Sequence, residues 1–129
     1  MTFLKKILLI DNEPGITGVV RSALEQTGKY LIKEEHDSRL AVNAARWFQP
    51  DLILFDVLQD QTSATCVARK IQQDVSNRDT PVMFVSANTA SDGRVASGGI
   101  LSGYSFLATP VPIEEFVGYV GELLSPSSR

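Results

Sequence analysis

This chain of 129 residues has one cysteine, one histidine and one tryptophan. With Cys66 alone, no internal disulfide can form, and no cysteine-based zinc site can be assembled from this chain. A lone histidine, His36, removes any reading that needs a pair of imidazoles. It sits beside Asp37 at the close of a strand and is expected on the surface, and no serine, histidine and acid triad can be built on it. No apolar run approaches the roughly 20 residues of a membrane helix. The apolar residues 7 to 10 stop at Asp11, too soon for the core of a secretory signal. Basic residues are outnumbered, 12 against 15 acids, so there is no broad positive footprint for nucleic acid. A reducing cytoplasm, no membrane and protein partners are the expected setting.

What is present reads as one domain over residues 1–125, with a loose Ser-Pro-Ser-Ser-Arg end in which 126–129 form a flexible tail. Ile7 to Ile10, Leu52 to Phe55 and Val82 to Val85 are short, branched apolar runs, the pattern of strands covered on both faces. Weaker strands are expected at Tyr30 to Glu34 and Tyr104 to Leu107. Between them, Ile16, Val19, Val20, Ala23 and Leu24 share a helical face, entered through Asn12 and Pro14 and closed by Gly28. Ser38 to Phe48 predicts a second helix with Leu40, Ala44, Ala45 and Phe48 inward. Ser63 to Val75 predicts a third, carrying Val67, Ile71 and Val75. A last helix begins at Pro112 and turns Ile113, Phe116, Val117, Val120 and Leu124 toward the core. Trp47 is expected in core or rim packing and Cys66 as a small packing residue. Gly93, Gly98 and Gly99 interrupt residues 88 to 103, where each interior glycine costs about 1 kcal/mol in a helix, so only a short or mobile fourth helix is expected there.

Strands alternating with helices imply a doubly wound α/β fold with parallel strands and right-handed crossovers. In such a sheet the binding crevice lies beyond the carboxyl ends of the strands. The residues at those ends are Asp11 and Asn12, Asp56, Ser86 and Ala87, and Thr109 and Pro110. Either acid alone is explained as a loop or helix cap. Together, two carboxylates about 4 Å apart repel by roughly 4 kcal/mol at a surface-like dielectric, which attracts a cation between them. An oxygen-only set suits Mg²⁺ or Mn²⁺, and a carboxylate beside such an ion is equipped to accept a phosphoryl group.

The segments ILLIDNEP, PDLILFD, PVMFVSA and FLATP resemble the landmarks of response regulator receiver domains, the CheY-like family, over about Lys5 to Leu124. The resemblance implies a five-stranded parallel sheet in the order 2-1-3-4-5 with helices on both faces. It implies that Asp56 accepts a phosphoryl group from a sensor histidine kinase or phosphotransfer protein. Mg²⁺ would be held by Asp11, Asn12, Asp56 and the Leu58 main-chain carbonyl. Ser86 would be the switch hydroxyl and Phe106 the switch aromatic, with a cis peptide between Thr109 and Pro110. The fourth helix, fifth strand and fifth helix would form the face read by a downstream protein.

Two positions depart from the family. Asn12 stands where a second acid is usual, and Thr109 stands where a lysine pairs with the acceptor. One acid and one lysine are lost together, so the site's formal charge stays at the family's value while an ammonium donor is missing. A phosphorylation-independent pseudo-receiver is therefore the main alternative. A third reading takes Asp11 and Glu13 as a faint echo of haloacid dehalogenase-like phosphatases, and it leaves Asp56 unexplained. Beyond transfer to and from Asp56, no enzyme activity is expected.

Overall fold

The computed structural model describes residues 4–11, 18–56, 61–86, 94–101, 104–107 and 111–124, and for residues 56, 61–65, 86, 94–107 and 111 among these the backbone alone. The chain alternates strands β1 (Lys5–Ile10), β2 (Tyr30–Glu35), β3 (Leu52–Asp56) and β4 (Val82–Ser86) with helices α1 (Gly18–Glu25), α2 (Ala41–Phe48) and α3 (Gln61–Gln73). Then follow β5 (Arg94–Leu101), β6 (Tyr104–Leu107), the two-residue β7 (Val111–Pro112) and α4 (Ile113–Leu124). The three apolar runs expected as the main strands, and the weaker one at Tyr30 to Glu34, are strands, within a residue or two of the expected bounds.

Four parallel strands stand in the order β2-β1-β3-β4, with β1 and β3 in the middle. Their alternation feeds two separate cores. Ile7 and Leu9 of β1, Leu52 and Leu54 of β3 and Ile32 of β2 pack under Val20 and Leu24 of α1 and Phe116 and Val120 of α4. Leu8 and Ile10, with Ile53 and Phe55, pack on the other face under Ala41, Ala44 and Ala45 of α2 and Ala68 and Ile71 of α3. Both faces of β1 and β3 are thus covered, which explains why their sequences are unbroken apolar runs rather than alternating ones. Each such leucine or isoleucine contributes roughly 1.5–3 kcal/mol by leaving water.

The first two helices close where the sequence predicts, through residues that turn the backbone left-handed. Gly28, with φ of 71°, follows α1 and donates its N–H to Glu25 O at 3.1 Å. Gln49 does the same for α2 at φ of 54°, donating to Ala45 O at 2.9 Å. The start of the second helix is corrected. Asp37 accepts from the Arg39 N–H and caps a single 3₁₀ turn, Ser38–Leu40, before α2 begins, and that tighter turn carries Leu40 out to solvent. Val75 likewise falls in a 3₁₀ turn after α3 and is exposed instead of inward. Trp47 and Cys66 also face solvent, and the residues their helices bury against the sheet are Ala41, Ala44 and Ala45 in α2 and Ala68 and Ile71 in α3.

The larger departure lies at the far edge. Residues 94–101 form a strand, not a helix, and run antiparallel between β4 and β6. The predicted last strand, Tyr104–Leu107, is present and runs in the direction of β4. Its neighbour is β5, so the order 2-1-3-4-5 holds for its first four strands and gains an inserted strand before the fifth. The cause is in the sequence. RVASGGIL offers no apolar stripe at helical spacing, and its glycines penalise a helix. As a strand it satisfies its backbone on both sides, Phe84 facing Gly98 and Gly98 facing Leu107. The tail at 126–129 lies outside the described residues.

Candidate functional site at the carboxyl edge of the sheet

The strand ends are aligned by register. Ile10 pairs with Phe55, so Asp11 and Asp56 occupy the next place on adjacent central strands. Asp56 itself pairs with Val85, so Ser86 takes the following place on β4. Three of the residues singled out from sequence therefore share one edge of the sheet, on neighbouring strands about 4.8 Å apart. Phe106 lies in β6 opposite Gly99. With β5 inserted, that residue is separated from β4 by a strand. Asn12, Leu58 and Thr109, and with them the expected cis peptide, lie outside the described residues.

Asp11 is one of only two buried polar or charged residues among those described. Burying a carboxylate costs several kcal/mol unless hydrogen bonds and opposite charge offset it. Its main-chain N–H is tied to Glu35 O at 3.0 Å, which fixes the strand end against β2. Its Oδ1 meets His36 Nδ1 at 2.5 Å. The other ring nitrogen, Nε2, lies 3.4 Å from Glu34 Oε1, and the second oxygen of Glu34 accepts from Arg21, which also pairs with Glu25. The hydrogen bond to the Asp11 carboxylate, helped by the charges of Asp11 and Glu34, raises the His36 pKa above its ordinary value.

His36 is the functional candidate that sequence reasoning passed over. It is half-exposed, as expected of a surface residue, yet its ring reaches back over the strand end to the buried acid. The available signal was spacing: Glu34 and His36 are two apart, the period that places strand residues on one face. Lys5 and Lys6 stand at the other end of β1, as anticipated, and Lys6 Nζ rests 5.4 Å above the Phe48 ring.

A sheet whose first four strands run β2-β1-β3-β4, helices on both faces and acids at the carboxyl ends of β1 and β3 define a CheY-like receiver fold. The receiver domain of NtrC4 from Aquifex aeolicus superposes with a TM-score of 0.63, covering 95% of this chain and all of that one at 24% identity. No family model matches the chain. By sequence, it is 32% identical over 111 residues to the probable transcriptional regulatory protein TcrX of Mycobacterium tuberculosis, covering 86% of this chain and 46% of that protein. It is 28% identical over 125 residues to the transcriptional regulatory protein TrcR of the same organism, covering 96% of this chain and 47% of the relative. The chain thus spans about half the length of the curated relatives it matches. It is a response regulator receiver domain of the two-component type.

Among the described residues no helix is long and apolar enough to cross a membrane.

Proposed function

We propose that this receiver takes a phosphoryl group on Asp56 from a sensor histidine kinase or phosphotransfer protein, and that Mg²⁺ assists through Asp11, Asp56 and the Leu58 carbonyl. The observation that carries the reading is the register of the strand ends: a buried carboxylate, Asp11, stands beside the Asp56 position at the carboxyl edge of adjacent central strands. The donor set fits the ion, since carboxylate and carbonyl oxygens suit a hard divalent cation. Its chemistry there is to neutralise charge on the phosphoryl oxygens. In the transfer, a carboxylate oxygen of Asp56 bonds to phosphorus as the phosphorus–nitrogen bond of phosphohistidine breaks and the electron pair returns to the imidazole. Ser86, one place beyond Val85, is suited to follow the phosphoryl group, and Phe106 to pass the change outward. We assign the chain a cytoplasmic setting, a downstream protein as its reader, and no catalysis beyond phosphorylation and dephosphorylation of Asp56.

A second reading, a pseudo-receiver that binds partners without phosphorylation, is favoured by the bond from His36 to Asp11. That bond engages one oxygen of the Asp11 carboxylate, Asn12 puts an amide where a second acid is usual, and Thr109 lacks the ammonium donor of the usual lysine.

Intact mass after treatment with a small phosphodonor and Mg²⁺ separates the two. Wild type should gain one phosphoryl group and Asp56→Asn none. A wild type that stays unmodified where a control receiver is labelled would move the assignment to the second reading, which requires partner binding to survive Asp56→Asn.

A further inference from the structure

The group formed by Asp11, Glu34 and His36 is not explained by phosphoryl transfer. Two of its members come from β2 and the residue following it, which the Mg²⁺ reading does not use. Each residue offers one ligand atom, and the three atoms lie within 4.8 Å of one another. We propose that these three residues form a transition-metal site, of the zinc class, distinct from the Mg²⁺ position although it shares Asp11.

Three features carry it. The donor chemistry is mixed, one imidazole with two carboxylates, and an imidazole nitrogen shifts preference from Mg²⁺ toward Zn²⁺, Cu²⁺ and Ni²⁺. The scaffold is rigid on two sides. Asp11 is held by the Glu35 carbonyl directly after the buried Ile7–Ile10 stretch of β1, and Glu34 lies in β2, two residues before His36, which follows the strand. The supporting contact is also in place. Arg21 binds Glu34 through Oε2 and leaves Oε1 turned to the ring, the arrangement by which an outer partner orients a carboxylate ligand.

Ligands around a tetrahedral zinc stand roughly 3.5 Å apart, given metal–ligand distances near 2.0–2.2 Å. One ion takes one nitrogen of the His36 ring, and the three ligand atoms, which lie within 4.8 Å of one another, must draw in toward that spacing. With Nδ1 as the ligand, Asp11 Oδ1, now at 2.5 Å, must move off by about 1 Å, and Glu34 Oε1, now 3.4 Å from Nε2, must come to the Nδ1 side as the half-exposed ring turns. A bound ion replaces the proton that links Asp11 to the ring, and that proton leaves to solvent. The fourth position would face water.

The test is equilibrium dialysis of Zn²⁺ against the full chain in a Cys66→Ser background, which removes the exposed thiol, with excess Mg²⁺ present. One Zn²⁺ per chain is expected for this background and equally with Asp56→Asn added. His36→Gln and Glu34→Gln should each weaken binding by at least the roughly 10–100-fold that loss of an outer-shell partner costs. His36→Cys should restore it, which a purely structural histidine would not allow, and circular dichroism checks that each variant is folded. Absence of binding, glutamine variants that bind as tightly as the Cys66→Ser background, or loss of zinc on Asp56→Asn overturns the proposal. The phosphoryl reading is separately decided, because only it depends on Asp56.

Discussion

The parallel strands β2-β1-β3-β4 and the antiparallel β5–β6 pair beside them belong to one sheet, yet they are held by different means. In β1 and β3 every residue from Ile7 to Ile10 and from Leu52 to Phe55 is buried, and the two faces serve separate cores. Here the side chains and the ladder act together. β5 carries Ala96, Ser97, Gly98 and Gly99 through its centre, residues with little or no apolar surface to bury. Its place is secured by backbone pairing, to β4 on one side and β6 on the other, and to β7 at Arg94 and Val95. Side-chain volume governs the first region and hydrogen-bond continuity the second.

The sharpest way to break that contrast is Leu54→Ala. Leu54 is fully buried at the middle of β3, and its truncation should cost about 2–5 kcal/mol in chemical denaturation, the range for a core leucine whose cavity cannot fully collapse. A cost below that of an exposed substitution would mean the parallel strands are not held by packing. On the antiparallel pair the matching change is Gly99→Pro, which deletes an N–H from a strand paired on both sides. A buried orphaned partner costs about 1–3 kcal/mol, so the effect should be smaller than that of Leu54→Ala. Native-state hydrogen exchange should in the same way show β5 amides opening before those of β3. If proline at 99 left stability and exchange unchanged, residues 94–101 would not form the strand described.

The same contrast explains what could be read in advance. Ile7–Ile10, Leu52–Phe55 and Val82–Val85 announce themselves because burial on both faces leaves no polar residue to interrupt the run. Tyr104–Leu107 was legible as a strand. Its neighbour was not, because pairing with β5 depends on where a second segment lies, and RVASGGIL has neither period 2 nor period 3.6 to declare it. Helix faces were legible at Ala44, Ala45, Ile71 and Phe116. They failed at Leu40 and Val75, where a 3₁₀ turn changes the angle between successive side chains. At the site, Asp11, Asp56 and Ser86 followed from the rule that crevices lie beyond strand ends. His36 did not, since its partner is 25 residues away and only the parallel pairing of β1 with β2 brings the two together.

The smallest effect concerns that pair, and it sharpens the comparison by adding charge to the packed region. The folded-state pKa of His36 is raised, chiefly by the bond to Asp11. Its contribution to stability is therefore complete below the unfolded value of about 6.5 and is lost as pH rises through the higher folded value. Stability should decline over that window in wild type, and His36→Ala should remove that part of the slope. The change is expected to be modest, because the ring is half-exposed and water and salt screen it. Urea unfolding at a series of pH values from 6 upward, at low and at high salt, makes the measurement. Superimposable profiles for wild type and His36→Ala would show that packing alone, without this ion pair, holds the carboxyl end of β1.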